Sequence, residues 1–84
     1  MTYEIKLKPN FVKQLKKVDN KQAKRILVKI QQLADNPMPL ASKQLKGVDA
    51  WRLRIGDYRV IYKVEDGQLI VLVLAVGHRK DVYR

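Results

Sequence analysis

Between Trp51 and Tyr62 the chain reads Trp-Arg-Leu-Arg-Ile-Gly-Asp-Tyr-Arg-Val-Ile-Tyr, and this run leaves little freedom in how it can fold. Trp51, Leu53 and Ile55 alternate with Arg52 and Arg54, the period of a strand with one apolar and one charged face. Gly56-Asp57 puts glycine at the first central position of a two-residue turn, where φ must be positive. A turn there pairs Ile55 with Tyr58, Arg54 with Arg59, Leu53 with Val60 and Trp51 with Tyr62. All the apolar partners then fall on one face, and a slip by one residue would scatter them. The same register sets Arg54 opposite Arg59, with Arg52 two residues along. Like charges directly opposed are destabilising unless an anion lies between them. An arginine fork meets two phosphate oxygens at once, so a bound phosphate is the expectation for this face.

Upstream, Tyr3, Ile5 and Leu7 alternate with Glu4 and Lys6, a first strand that ends at Pro9. Phe11, Leu15 and Val18 recur at helical spacing, predicting a short helix over about 10–18. Asp19-Asn20 breaks it and caps a second helix, whose Ala23, Ile26, Leu27, Ile30, Leu33 and Ala34 form one stripe for the core. That helix stops before Asn36-Pro37, because the residue preceding a proline is pushed out of the helical region. Residues 42–47 are a candidate short strand with Leu45 turned inward. Asp66-Gly67 reads as a type I′ turn that pairs Val64 with Leu69, Tyr62 with Val71 and Val60 with Val73. The following strand, Gln68 to Val76, is apolar on both faces and belongs inside a sheet rather than at its edge. Ile61, Ile70, Leu72 and Leu74 then share the arginine face as a patch with little chain left to cover it. The whole, residues 1–84, is expected to be one α+β domain: an antiparallel sheet with two N-terminal helices on one face, in the order β-α-α-β-β-β.

With 18 Lys+Arg against 8 Asp+Glu, the formal net charge of +10 points to a polyanionic partner, nucleic acid or an acidic protein. The first residues lack the shape of a signal peptide, and the longest apolar run, Leu69 to Val76, is too short to span a bilayer. No amphipathic helix carries an aromatic face, so a membrane partner is not expected. The absence of cysteine excludes a disulfide framework and fits a cytoplasmic protein. One histidine and no cysteine leave no plausible zinc site, and no acidic residue lies between the arginines, so neither metal nor cofactor is expected. RNA can be cut without either. Its 2′-hydroxyl attacks the adjacent phosphorus, leaving a 2′,3′-cyclic phosphate and a 5′-hydroxyl end. That reaction needs positive charge on the phosphorane, a base and an acid. Arginines suit the first need and are poor bases. His78, the one histidine, follows Gly77 and stands in sequence beside Arg79, Lys80 and Tyr83, a cluster expected near one rim of the arginine face. Tyr83 could donate a proton or stack on a base.

Strand, two helices, Leu45-x-Gly47, Trp51-Arg52-Leu53-Arg54, Tyr58-Arg59-Val60-Ile61-Tyr62 and the ending Val76-Gly77-His78-Arg79-Lys80-Asp81-Val82-Tyr83 together resemble the RelE family of type II toxin–antitoxin toxins. The resemblance covers essentially the whole chain and is most specific at its end. It implies a RelE-like, microbial-ribonuclease-like fold and a metal-independent endoribonuclease that cleaves messenger RNA in the ribosomal A site and so inhibits translation. It implies an antitoxin partner that holds the toxin inactive. Carried over by position, Arg52 and Arg54 are the basic pair, Arg59 the transition-state arginine, Arg79 the second active-site arginine and Tyr83 the stacking tyrosine. Relatives often have lysine at the first two positions, where it can serve as base; arginine at both moves that role toward His78. Lys13, Lys17, Lys21, Lys24, Arg25, Lys43, Lys46 and Lys80 are candidate contacts for RNA and 16S ribosomal RNA phosphates. An acidic antitoxin segment that folds on binding would cover Ile61, Ile70, Leu72 and Leu74 and neutralise the arginines. Two other readings share the fold and charge: a ParE-like toxin that poisons DNA gyrase by binding, and a basic RNA-binding domain without activity.

Overall fold

The computed structural model describes residues 2–78. Glu4–Leu7 forms strand β1, Pro9–Leu15 helix α1 and Asn20–Gln32 helix α2. Strands β2 (Ser42–Gln44), β3 (Trp51–Ile55), β4 (Tyr58–Glu65) and β5 (Ile70–His78) follow. They make one five-stranded sheet in the order β1-β5-β4-β3-β2. Two features go beyond the expected antiparallel β-α-α-β-β-β sheet. Residues 42–44 do add a short edge strand, and β1 lies parallel to β5.

Both helices pack on one face of the sheet. Pro9 opens α1, where its missing N–H costs nothing and its φ suits the helix. Phe11 is fully buried, with Leu15 and Val18 packed beside it. From α2 and the turn after it, Ile26, Ile30 and Leu33 meet Leu53, Ile55, Val60, Tyr62, Val71, Val73 and Val76 of the sheet. Leu27, expected in that stripe, is turned to solvent because it sits about 100° around the helix from Ile26. The helix also ends earlier than the Asn36-Pro37 boundary. Leu33, Ala34 and Asp35 N–H groups donate three residues back, to Ile30, Gln31 and Gln32 O, and tighten the last turn.

The β3–β4 hairpin has the expected register in all of its pairs, from Trp51–Tyr62 to Ile55–Tyr58. Gly56 has φ +58°, the positive value its turn position demands. The second hairpin differs. Residues 66–69 form a four-residue loop, and it is Leu69, not Gly67, that takes a positive φ, of 55°. Strand β1 is the cause: Tyr3 Oη donates to Asp66 Oδ1 at 2.7 Å, and Glu4 N donates to Leu69 O at 2.7 Å. The pairs become Val64–Val71 and Tyr62–Val73, a shift of two residues that leaves each side chain on its expected face. A bulge then falls between Ile61 and Tyr62: Ile61 faces Ala75, Tyr62 faces Val73, and Leu74 is the extra residue. Beyond it the faces of β5 exchange. Val76, paired with Val60, is buried in the core, and its N–H donates to Gln14 Oε1 of α1 at 2.8 Å.

Candidate phosphate-binding face

In a two-residue hairpin the pair closing the turn, here Ile55–Tyr58, exchanges the backbone hydrogen bonds. Arg54–Arg59 is therefore the next, non-hydrogen-bonded pair, in which side chains lie closest. The outward N–H of Arg54 agrees, since it donates to Ala41 O on the other side of β3, at 3.3 Å. The two side chains leave the sheet from directly opposed positions on the same face. Arg54 is exposed, whereas Arg59 retains only 9% of its accessible surface. Arg59 Nη1 donates to Tyr58 O at 3.2 Å and Gly56 O at 3.5 Å, while its Nε is buried without a hydrogen-bond partner. On its other flank Arg59 faces Gly77, which contributes no side chain. Arg52, half-buried, projects on the same face two residues along, and Lys43 of β2 stands opposite it.

This arrangement concentrates positive charge beside a surface opened by glycine. Among the described residues the Arg59 guanidinium is bonded only by carbonyl dipoles, which leaves it unspent hydrogen-bonding capacity, and burying charge without a counter-charge is costly. An anion held between Arg54 and Arg59 converts their repulsion into attraction from both sides. Phosphate suits the planar donors better than a single-point anion does.

His78 does not join this cluster. It pairs with Tyr58, whose ring packs against the core, and the two rings meet edge to face at 5.8 Å and 78°. Its side chain lies on the helix side of the sheet, because the Leu74 bulge exchanges the faces of everything beyond it. Arg79, Lys80 and Tyr83 lie outside the described residues.

The basic field also divides. Lys13, Lys17, Lys21, Lys24 and Arg25 are exposed on the helix layer, Lys43 stands on the arginine face, and Lys46 lies in the loop after β2. Ile61, Ile70 and Leu72 share the arginine face as expected, with Leu74 at the bulge. All four are half-buried rather than bare. Leu72 sits in register between Lys6 of β1 and Lys63 of β4. Neither the glycine opposite Arg59 nor the role of Gln14 is evident from the chain's residue pattern. The first becomes visible only once the bulge is known.

A family model described as the ParE toxin of a type II toxin–antitoxin system, parDE, matches residues 5–83. A putative RelE-like toxin protein of Escherichia coli is 35% identical over 88 residues, which cover 99% of this chain and 92% of that protein. The putative toxin RelE1 of Methanocaldococcus jannaschii is 30% identical over 88 residues, covering 100% of this chain and 98% of its own. Among solved structures, the archaeal RelE–RelB complex from Pyrococcus horikoshii OT3 matches with a TM-score of 0.85 at 31% identity, over 98% of this chain and 100% of that one. Fold, family model and relatives agree: the chain belongs to the RelE/ParE family of type II toxin–antitoxin toxins.

Proposed function

We propose that this toxin is an endoribonuclease that cuts messenger RNA in the ribosomal A site. The observation that carries the reading is the opposed Arg54–Arg59 pair, with Arg59 buried and its Nε lacking a partner. As the 2′-oxygen bonds to phosphorus and the bond to the 5′-oxygen breaks, negative charge grows on the non-bridging oxygens. Arg54 and Arg59 stabilise that charge, and Arg52 and Lys43 hold neighbouring phosphates. The 2′-hydroxyl loses its proton and the 5′-oxygen gains one. Arg79 adds a further charge in this reading, and Tyr83 supplies the proton or stacks on a base. A flexible RNA must be oriented before its 2′-oxygen can attack in line, and in this reading the ribosome supplies that orientation. The test is the chemistry of the cut ends: 5′-hydroxyl termini mapping to ribosome-bound codons support the reading. Intact messenger RNA during growth arrest overturns it.

A second reading has its own support, because the matching family model is that of ParE toxins. On that reading the basic faces grip DNA gyrase and nothing is cut. Purified protein inhibiting gyrase supercoiling, with messenger RNA left intact, would establish it.

The P. horikoshii relative is a complex of RelE with RelB. For this chain we place an acidic antitoxin segment across Ile61, Ile70, Leu72 and the arginines, occluding the RNA site and neutralising its charge. Leu72→Ala tests this better than a lysine at that position, which would complete a row of like charges with Lys6 and Lys63. The substitution should weaken antitoxin binding more than ribosome binding.

A further inference from the structure

On the helix side of the β3–β4 hairpin tip, two cavities share Tyr58 and His78 as their common floor. One, of about 300 Å³, is walled by Gln22 and Arg25 of α2 and rimmed by Gly56 and Asp57. The other, of about 360 Å³, opens toward Gln14, Lys17 and Val18 at the end of α1. The two cavities adjoin at these two side chains and together make a groove along the hairpin tip. Arg25 reaches across the first lobe to the turn, its Nη1 lying 3.3 Å from where a Cβ on Gly56 would stand. Lys17 supplies a second cation at the far lobe, and Asp57 is the acidic residue on the rim. His78 is exposed, and its ring meets Tyr58 edge to face.

We propose that this groove is a nucleotide subsite for the same single-stranded RNA whose phosphate lies between Arg54 and Arg59. It takes the base of a flanking nucleotide on the Tyr58–His78 pair and that nucleotide's phosphate on Arg25. The inference rests on the arginine face being an RNA site and adds a contact on the other side of the sheet. Tyr58 and Arg59 are consecutive in β4, so their side chains leave on opposite faces. Arg59 Nη1 holds the carbonyls of Gly56 and Tyr58, so only the turn itself separates its guanidinium from the groove. A strand drawn over the hairpin tip therefore meets the arginines first and the groove next. An aromatic floor flanked by separated cations matches the alternation of base and phosphate along single-stranded RNA. An acidic peptide segment would use the cations and leave the ring surface without a partner.

The experiment measures binding of the full chain to uncleavable 2′-O-methyl oligonucleotides, a dinucleotide and a hexanucleotide. Arg25 and His78 are both exposed, so Arg25→Ala and His78→Ala spare the core. His78→Ala is expected to weaken hexanucleotide binding about five- to hundredfold, the range for a lost base stack, and Arg25→Ala to weaken it through the lost phosphate contact, both leaving the dinucleotide unaffected. Arg25→Ala should also lower the salt dependence of hexanucleotide binding by about 0.7 in log–log slope, one phosphate contact on a single strand. His78 ring signals in NMR should move with the hexanucleotide and stay still with the dinucleotide. Should Arg59→Ala weaken both ligands while the groove variants change neither, the subsite is wrong and the arginine-face reading stands. Should the groove variants weaken the hexanucleotide while Arg59→Ala changes nothing, the arginine-face reading fails and the groove binds RNA by itself, not as a subsite of that face. Equal losses on both ligands, or a loss confined to an acidic antitoxin segment, also overturn the subsite.

Discussion

Replacing Arg59 with methionine keeps the aliphatic stem of the side chain and deletes its charge, so it separates the two things this residue does. The losses are two long hydrogen bonds, at 3.2 and 3.5 Å, to the carbonyls of Tyr58 and Gly56. At about 1 kcal/mol each they contribute about 2 kcal/mol at most. The gains are relief of the buried, unpartnered Nε, worth about 1–3 kcal/mol, and of the repulsion from Arg54, worth up to about 1 kcal/mol. Arg59→Met should therefore shift stability by no more than about 1 kcal/mol downward or about 2 kcal/mol upward, read from the midpoint of thermal or urea unfolding. Cleavage of ribosome-bound messenger RNA should fall by about 10²–10³, the cost of removing one oxyanion donor. Inorganic phosphate should raise the melting temperature of the native protein and do so less in the variant, since an anion that binds only the folded state stabilises it. A variant destabilised by well over about 1 kcal/mol would refute the reasoning. Undiminished cleavage by a stable Arg59→Met protein would sink the site itself.

Gln14→Leu should cost about 1–3 kcal/mol in urea unfolding by orphaning the Val76 N–H, whereas Gln14→Glu, which keeps an acceptor, should recover most of it. Burial pushes the Tyr62 phenol above its ordinary value, opposed in smaller part by the Ser42 hydroxyl. At Tyr62 the unfolded chain therefore ionises first, so this group's contribution to stability is constant below about pH 10 and is lost as pH rises through the folded value. Tyr62→Phe should remove that alkaline loss and cost about 1 kcal/mol at neutral pH through the lost 2.7 Å bond to Pro37 O, both read from unfolding curves. His78→Gln should leave the pH profile of cleavage unchanged at saturating ribosome concentration, because the imidazole lies on the helix side of the sheet. A flattened profile would return it to the reacting phosphate.

Much of the fold was legible because local and tertiary demands agree. In the β3–β4 hairpin the Gly-Asp turn and the alternation of Trp51, Leu53 and Ile55 specify the same register, and that register is found. Both helices stand where Phe11 and the Ile26–Ile30–Leu33 stripe place them. Legibility fails where a distant element overrides a local preference. Asp66-Gly67 has the composition of a tight turn, yet Asp66 is engaged by Tyr3 and the carbonyl of Leu69 by β1. Only the parallel β1–β5 pairing explains a leucine at positive φ, and nothing near Leu69 in the chain announces it.

The site divides along the same line. Arg52, Arg54 and Arg59 were legible because a charged face alternates with an apolar one on strands of known register. Strand β5 has no such contrast: from Ile70 to Val76 both faces are apolar, so period two carries no information and a bulge leaves no trace in the pattern. That one extra residue, Leu74, decides the chemistry around it. Without it, His78 would project toward Arg59, and the natural reading is an imidazole acting on the gripped phosphate. With it, Gly77 faces Arg59 and His78 faces Tyr58. The arginine face gains open space for a phosphate and loses the residue best suited to move protons near neutral pH. Among the described residues the face then supplies charge rather than acid–base chemistry. On the ribonuclease reading proposed above, a toxin built this way would need positioning by the ribosome more than one with an imidazole in its site, so its preference for ribosome-bound over naked messenger RNA should be steep. Comparable rates on the two substrates would contradict that dependence.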